Sequence, residues 1–310
     1  MIPGTPSRRV RVGLVQLSVA TNRRTENLTR AEGLVAAAAA DGCELVVLPE
    51  AFATALNLPK SHEVAEPIPG PVTSWLASQA ARHGVWLAAG VLERAGEHVH
   101  SSAVLVDAAG RIRDVYRRSV VYDLEAHFLT GEVGARAVDT PFGRVGLVVG
   151  YDIQFPEVLR TLFADGAEII LCPSILLRPF AEPVRQMLLA RAAENCAYVL
   201  FAAATGENTL AGLTYMGRTA VVRSPMAIGA YSRDFRKQTP VLAEADREEC
   251  VVAADLDLHE LRRMRDAAPF LADFRRCGLS EALANATSAP HPSVTDTVPP
   301  HPAQAVGESR

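Results

Sequence analysis

The sequence predicts an α/β fold. Runs of Val, Leu and Ile that are typical of buried strands alternate with segments whose apolar residues recur at helical spacing. A glycine-bounded run of this kind, residues 143–150, leads into Pro156-Glu157, which is typical of a helix's first turn. The length of 310 residues, 49% of them hydrophobic, suits one large α/β domain or two small ones, and we favour one domain plus a tail. We therefore expect one α/β domain over 10–287, an N-terminal extension over 1–9 and a tail over 288–310.

The first half of the domain is expected to form a βαβ unit and a hairpin. Val10 to Leu17 predicts a strand, and Asn22 is expected to cap a helix that ends before Gly42. The next buried strand runs into Pro49-Glu50. The further predicted elements are a helix introduced by 69–71 and ending at Arg82, and strands over 85–93, 99–106 and 111–118.

The second half predicts strands and helices in alternation, followed by a disordered tail. A helix from Pro156 is expected to stop at Gly166, and another helix starts at Pro183. The predicted strands are 168–173, 198–203, 217–223 and 250–256, and a short amphipathic helix covers 258–265. Residues 288–310 hold five prolines and few bulky apolar side chains, so burial cannot offset the entropy of ordering them.

Composition excludes several classes of partner. The formal net charge of −4 gives no electrostatic basis for binding nucleic acid or an anionic membrane. The opening residues lack the apolar core of a signal peptide and no run is long enough to span a bilayer, so we expect a cytoplasmic protein. The five widely spaced cysteines are expected to be reduced core thiols. The absence of CxxC, HExxH or paired-His spacing predicts no metal, and we expect no cofactor.

Glu50 and Gly150 are candidate site residues because of where they lie in the predicted sheet. Glu50 follows a buried strand at its carboxyl end, where α/β folds place their ligands, although a solvated glutamate is an alternative. The strand, sharp turn and helix over 143–160 form the kind of junction that exposes a nucleophile beside a backbone N–H. The residue at its bend is Gly150, which has no side chain. The irregular segment 119–131 is expected to line the site.

Seven stretches together carry a family resemblance. They are Val12-Gly13-Leu14-Val15-Gln16, Leu45 to Glu50, Ser101 to Leu105, Tyr116-Arg117-Arg118, Tyr151-Asp152 with Phe155-Pro156-Glu157 and Arg160, Ala190 to Asn195, and Arg265 with Pro269. With these stretches the chain resembles the nitrilase, or carbon-nitrogen hydrolase, superfamily. The resemblance implies a four-layer α-β-β-α sandwich that pairs into a dimer or higher oligomer.

The resemblance also assigns roles to particular positions. The family uses a Glu as general base, a Lys that stabilises an oxyanion and a Cys that attacks an amide or nitrile carbon. Glu50 matches the Glu, whereas Arg118 stands at the Lys position and Gly150 at the Cys position. Glu125 matches a further Glu that orients the cation, and the backbone N–H of Tyr151 is the expected oxyanion donor.

Loss of a covalent nucleophile typically costs about a millionfold in turnover, so three hypotheses remain open. In the first hypothesis, the chain is a non-catalytic homologue that binds a small molecule or supports a partner enzyme. Alternatively, it is an enzyme in which Glu50 and Arg118 act without a covalent intermediate. An ordinary thiol amidase requires Gly150 to be an engineered replacement.

The residues around the junction allow three further expectations. Cys172 and then Ser174 are the nearest substitutes for the nucleophile, although core packing is the favoured interpretation of Cys172. We expect a void beside Gly150 that holds a water or ligand atom between Glu50 and Arg118. Asp152 and Arg160 are expected to pair at the start of the following helix.

Overall fold

The computed structural model describes residues 9–209, 212–225, 239–267, 269–279 and 281. The predicted disordered tail and all but the last residue of the predicted N-terminal extension lie outside these ranges. That last residue, Arg9, belongs to the first strand.

Fourteen strands are formed by the described residues. They are β1 (Arg9–Ser18), β2 (Leu45–Val47), β3 (Trp86–Ala95), β4 (His98–Val106), β5 (Ile112–Arg117), β6 (Ala137–Thr140), β7 (Gly143–Leu147), β8 (Ile169–Ser174), β9 (Tyr198–Thr205), β10 (Glu207–Asn208), β11 (Leu213–Thr214), β12 (Ala220–Val222), β13 (Val241–Glu244) and β14 (Cys250–Asp257).

Helices alternate with these strands over the same ranges. They are α1 (Arg24–Ala40), α2 (Ser61–Val64), α3 (Pro71–His83), α4 (Pro156–Ala164), α5 (Ala181–Glu194), α6 (Leu258–Ala267) and α7 (Phe270–Arg276). Single 3-10 turns occupy 58–60, 123–127, 150–154 and 178–180.

Twelve of these strands form one sheet with two six-stranded halves, and β10 and β11 form a separate two-stranded sheet. The first half has the order β5-β4-β3-β2-β1-β14, and the second has the order β6-β7-β8-β9-β12-β13. They are joined where the end of β1 runs parallel to the end of β9, with Leu17 opposite Ala204. Within the halves, β1, β2 and β3 are parallel, as are β7, β8 and β9. The parallel strands therefore direct the residues that follow their carboxyl ends toward common edges.

The core shows how the two halves pack. Val12 and Leu14 of β1 belong to a buried cluster that also contains Leu147 and Leu171 of the second half. Val15, which points to the opposite face of β1, packs with apolar residues of α1 and α3. Helices α4 and α5 contribute buried leucines to the cluster of the second half. This layering is the predicted four-layer α-β-β-α sandwich.

Several predicted elements are confirmed. The predicted βαβ unit is β1-α1-β2, with Val12 opposite Leu45, and β4 and β5 form the predicted antiparallel hairpin. Strand β12 is shorter than expected, because only 220–222 of the predicted 217–223 pair in the sheet.

The predicted cap of α1 is wrong. The helix begins at Arg24, and Asn22 takes a left-handed conformation with φ +59° while its N–H donates to Thr54 O at 3.0 Å. The Asn22 side chain therefore lies one residue too early to cap the helix. Asn27 holds this turn instead, because its side-chain amide exchanges two hydrogen bonds with the backbone of Ala20.

Candidate active site

Glu50 lies at the carboxyl end of β2, at the edge where the two halves meet. The chain leaving β2 continues alongside β3, with Leu48 N–H donating to Ala88 O and Gly90 N–H donating to Pro49 O. A Cβ atom added to Gly90 would come within 3.0 Å of the Glu50 Cα. Glycine at position 90 therefore permits the close approach that buries Glu50, whose exposed fraction is 1%. The predicted location of Glu50 is confirmed, but the solvated alternative is wrong.

Three donors hold the Glu50 carboxyl group. Ser101 Oγ donates to Oε1 at 2.6 Å, Arg118 Nη1 donates to Oε1 at 3.2 Å and the N–H of Ile175 donates to Oε2 at 3.2 Å. Burial nevertheless raises the pKa of Glu50 to about 7, against the opposing effect of Arg118 and with a further increase from Glu125. The group therefore changes protonation near neutral pH, which is the range in which a general base is most effective.

Arg118 is bound between two carboxylates. Its Nη1 contacts Glu50 and its Nη2 contacts Glu125, and its side chain is almost completely buried. Burial lowers the pKa of Arg118, but Glu50, Glu125 and Asp152 together raise it by more, so the guanidinium stays charged. Among the described residues, its Nε has no hydrogen-bond partner. The structure thus brings Glu50, Arg118 and Glu125 together as one ionic cluster.

Asp152 positions the chain next to Arg118. This buried carboxylate accepts hydrogen bonds from Tyr116 Oη at 2.7 Å and from the N–H of Val120 at 3.0 Å. The predicted pairing of Asp152 with Arg160 is therefore wrong. Arg160 instead donates to Glu194 O at 2.9 Å and lies over the Phe163 ring.

Gly150 has a φ of +40°, a positive value that glycine tolerates better than other residues do. A Cβ atom at this position would lie less than 3.0 Å from Glu50 Oε2. The predicted void beside Gly150 is therefore wrong, since the Glu50 carboxylate fills that space. The expected water or ligand atom between Glu50 and Arg118 stays a prediction, and the two side chains also contact each other directly.

The two substitute nucleophiles are both fully buried. Cys172 and Ser174 have exposed fractions of 0%, and neither lines the cavity beside Glu50. Burial raises the pKa of the Cys172 thiol well above its ordinary value, and nearby Asp152 and Glu50 raise it further. The core-packing interpretation of Cys172 is confirmed. Of the other cysteines, Cys43 and Cys196 are buried and Cys250 is partly buried. Cys277 is exposed, so the expectation of core thiols does not hold for it.

A cavity of about 490 Å³ opens next to the ionic cluster. Its volume lies within the range of about 300–1,000 Å³ that is usual for small-molecule sites. The charged residues among its described lining are Glu50, Arg118 and Glu125, and the polar ones include Asn57, Gln154 and Asn208. The remaining lining is mostly apolar or aromatic: Leu56, Leu58, Pro59, Tyr122, Leu124, Tyr151, Ile175, Leu176, Leu177, Phe180, Leu213 and Tyr215.

Tyr151 joins the junction to the irregular segment. Its ring packs edge-on against Tyr122 at 5.3 Å between ring centroids and against Phe155 at 5.1 Å. The side chain of Tyr151 therefore forms part of the cavity wall, whereas the family resemblance predicted a role only for its backbone N–H. The expectation that the segment 119–131 lines the site is confirmed for Tyr122, Leu124 and Glu125.

Two polar contributors were missed by the sequence analysis. Ser101 was noted as part of a motif, but its hydrogen bond to Glu50 depends on the register that places β4 beside β3. Ile175 contributes only a backbone N–H, which no side-chain pattern reveals.

Among the described residues, no group of three or more His, Cys, Asp or Glu side chains is placed to hold a metal ion. No helix in those ranges has the length and apolar character needed to cross a membrane.

Comparison with known proteins agrees with this architecture. A nitrilase from Pyrococcus abyssi is 34% identical over 261 residues, which are 83% of this chain and 93% of the relative. A 2-oxoglutaramate amidase from Bacillus subtilis is 28% identical over 270 residues, covering 86% of this chain and 97% of the relative.

Solved structures share the fold. A mutant of the Nesterenkonia AN1 amidase from the nitrilase superfamily superposes with a TM-score of 0.73 at 24% identity, covering 91% of this chain and 99% of that chain. The NitFhit protein of C. elegans superposes with a TM-score of 0.76 at 24% identity, covering 86% of this chain and 65% of that chain. The family model for carbon-nitrogen hydrolases matches residues 11–266. The chain therefore belongs to the carbon-nitrogen hydrolase family.

Proposed function

We propose that this chain is a small-molecule-binding homologue of amidases that holds an amide-like ligand without thiol chemistry. One observation carries the proposal: Glu50 Oε2 occupies the space that the first side-chain atom of residue 150 would need. Neither a side chain at position 150 nor the buried Cys172 is therefore available to attack a ligand in the cavity.

The ionic cluster has the groups that an amide requires. The NH₂ group of a primary amide donates hydrogen bonds, which the carboxylates of Glu50 and Glu125 accept. Its carbonyl oxygen accepts hydrogen bonds, which Arg118 and the backbone N–H of Tyr151 supply. In this proposal Glu125 keeps Arg118 in place, because the two side chains are in direct contact. The amidase and nitrilase names of the relatives are consistent with a carbon-nitrogen group at this position.

A second function, hydrolysis without a covalent intermediate, is favoured by the pKa of about 7 at Glu50. In this reaction ionised Glu50 takes a proton from a water molecule, and the water oxygen bonds to the amide carbon. Arg118 and the Tyr151 N–H stabilise the negative charge that develops on the carbonyl oxygen. The carbon-nitrogen bond then breaks, the amine leaves with the proton from Glu50 and a carboxylic acid remains.

Calorimetric titration with butyramide, combined with an assay of ammonia release, tests both functions. The binding proposal expects butyramide to bind, ammonia release to be undetectable, and Glu50→Gln to weaken binding. Glu93→Gln is the matched control, since Glu93 is a buried carboxylate outside the cavity. Absence of butyramide binding would contradict the proposal.

Turnover separates the two functions. Ammonia release by the natural sequence that is abolished by Glu50→Gln would establish the hydrolytic function, and turnover that survives this change would contradict it. If no amide, nitrile or carbamoyl compound reacts, Gly150→Cys combined with Arg118→Lys restores the residue types that the family uses. Activity in this double variant then requires the Glu50 carboxylate to move away from the added Cβ atom.

A cytoplasmic location and a homo-oligomeric assembly also belong to the proposal. The five cysteines are all free thiols, which supports a reducing compartment. Phe270 and Leu279, near the C-terminal end of the described chain, are exposed apolar side chains of the kind that a second subunit covers. Sedimentation of a monomer at tens of micromolar would contradict the oligomer.

A scaffold for a partner enzyme is the remaining alternative, and it requires that the cavity bind no small molecule.

A further inference from the structure

Four exposed apolar side chains surround the mouth of the cavity. Tyr122, Leu124, Phe180 and Leu213 have exposed fractions of 46%, 64%, 40% and 42%, and all four line the cavity. They come from three separate segments of the chain: the irregular segment after β5, the turn before α5, and β11. Large apolar side chains that converge on one opening mark a surface used for binding. We call these four residues the apolar rim.

The charges lie at the inner end of the same cavity and are mutually paired. Among the described lining residues, Arg118 is the only cation, and it already contacts both Glu50 and Glu125. A ligand carboxylate would therefore meet two carboxylates and a cation that is already engaged. Repulsion and desolvation would both oppose its binding.

We propose that the ligand is an uncharged amide with an extended apolar substituent, whose amide group lies at the Glu50 cluster and whose substituent lies against the apolar rim. This inference rests on the proposed function and adds the chemical class of the ligand. A protein surface is a less suitable occupant of the rim, because the four side chains line a concave cavity that is continuous with the buried polar cluster.

The proposal makes affinity depend on chain length. Each methylene group that leaves water contributes about fourfold to affinity. Primary amides from acetamide to octanamide should bind with increasing affinity until the substituent passes the rim. Octanoate, which differs from octanamide in charge, should bind at least about tenfold more weakly, because it brings a third carboxylate to the cluster.

Calorimetric titration at pH 8 of acetamide, butyramide, hexanamide, octanamide and octanoate tests the proposal. The variants Leu124→Ser and Phe180→Ser should each weaken octanamide binding about tenfold and reduce the ratio of octanamide to acetamide affinity. Val133→Ser is the matched control, because Val133 is 81% exposed and does not line the cavity. It should leave the octanamide affinity unchanged. Melting temperatures should show that all three variants remain folded.

Distinct results overturn the inference and the proposed function. If acetamide binds as tightly as octanamide, or octanoate binds as tightly as octanamide, the inference is wrong while amide binding stands. If 1-octanol binds as tightly as octanamide, amide recognition is wrong and the inference fails with it. Sedimentation of Leu124→Ser as a smaller species than the natural sequence would show that the rim contacts another copy of the chain, which also overturns the inference.

Discussion

Glu50 and Glu93 are held by neighbouring residues of the same two segments, yet the pKa values of their carboxyl groups shift in opposite directions. Ser101 donates to Glu50 at 2.6 Å and Ser102 donates to Glu93 at 2.7 Å. Arg118 contacts Glu50, whereas the adjacent Arg117 forms a bidentate ion pair with Glu93. Because successive residues of a strand point to opposite faces, the first set lies on the face that packs against the second half of the sandwich. The other set lies on the opposite face, which packs with α1 and α3.

The surroundings explain the opposite shifts. Burial raises the pKa of Glu50 to about 7, and Arg118 offsets this only in part because Glu125 competes for it. Burial also acts to raise the pKa of Glu93, but the hydrogen bonds from Arg117 and Ser102 and the charge of Arg117 together outweigh it and lower the pKa. Glu93 and Glu50 therefore have similar hydrogen-bond partners but behave differently: Glu93 stays ionised, whereas Glu50 titrates near neutral pH.

This difference predicts the pH dependence of stability. Between an unfolded pKa of about 4.5 and a folded pKa of about 7, the folded state binds the extra proton at Glu50. The contribution of Glu50 to the free energy of unfolding therefore falls as the pH rises through this range, by about 2 kcal/mol between pH 5 and pH 8. Glu50→Gln should remove that decrease, as measured by urea unfolding at the two pH values.

Glu93→Gln provides the control for this measurement. The lowered pKa of Glu93 means that its stabilising effect is present above its unfolded pKa and is lost only as the pH falls through the folded pKa. This variant should be less stable than the natural sequence at pH 8 but should retain the decrease between pH 5 and pH 8. Equal pH dependence in Glu50→Gln and the natural sequence would contradict the assignment to Glu50.

Glu125→Gln should lower the pKa of Glu50. Glu125 raises that pKa through its negative charge and also contacts Arg118, so its neutralisation leaves the guanidinium to act on Glu50 alone. Carbon-13 NMR titration of the glutamate carboxyl groups, with Glu50→Gln used for assignment, measures the change. Glu132→Gln is the control, because Glu132 contacts Arg117 instead, and it should leave the Glu50 pKa unchanged. An unchanged or raised Glu50 pKa in Glu125→Gln would contradict the coupling.

The strands and the positions of the site residues could be predicted from the sequence better than the contacts between their side chains. The long strands and the position of Glu50 follow from local patterns of Val and Leu, and Arg118, Glu125 and Gly150 follow from the family motifs. The short strands β6, β10, β11 and β13 have two to four residues, which is too few for a period of two to be recognised. Helix α7 was also missed.

The interior depends on contacts between residues that are distant in sequence. Position 150 lacks a side chain, and the sequence alone suggested a void there. The structure instead places Glu50, one hundred residues earlier, in that space. The partner of Asp152 was wrong for a similar reason, since Tyr116 and Val120 approach it from β5 and the segment after it. The apolar rim likewise forms only when three segments of the chain come together.

Gly150→Ala should destabilise the protein and displace Glu50. The added Cβ atom would collide with Glu50 Oε2, and alanine is unfavourable at a φ of +40°. We expect a loss of about 1–3 kcal/mol in the free energy of unfolding. Gly134→Ala is the control, since a Cβ atom there meets no other atom within 4 Å. A Gly150→Ala variant as stable as Gly134→Ala would contradict the close packing of Glu50 against Gly150.

Cys172 should not react with thiol reagents in the folded protein. Its side chain is fully buried, and the raised pKa keeps it as a thiol, whereas the reactive form is the thiolate. Brief treatment with iodoacetamide at pH 8, followed by peptide mass spectrometry, should modify the exposed Cys277 and leave Cys172 unmodified until urea is added. Cys172→Ala should retain whatever amide binding or turnover the natural sequence shows, with a modest loss of stability. Modification of Cys172 in the native state, or loss of activity in a folded Cys172→Ala variant, would identify it as a relocated nucleophile.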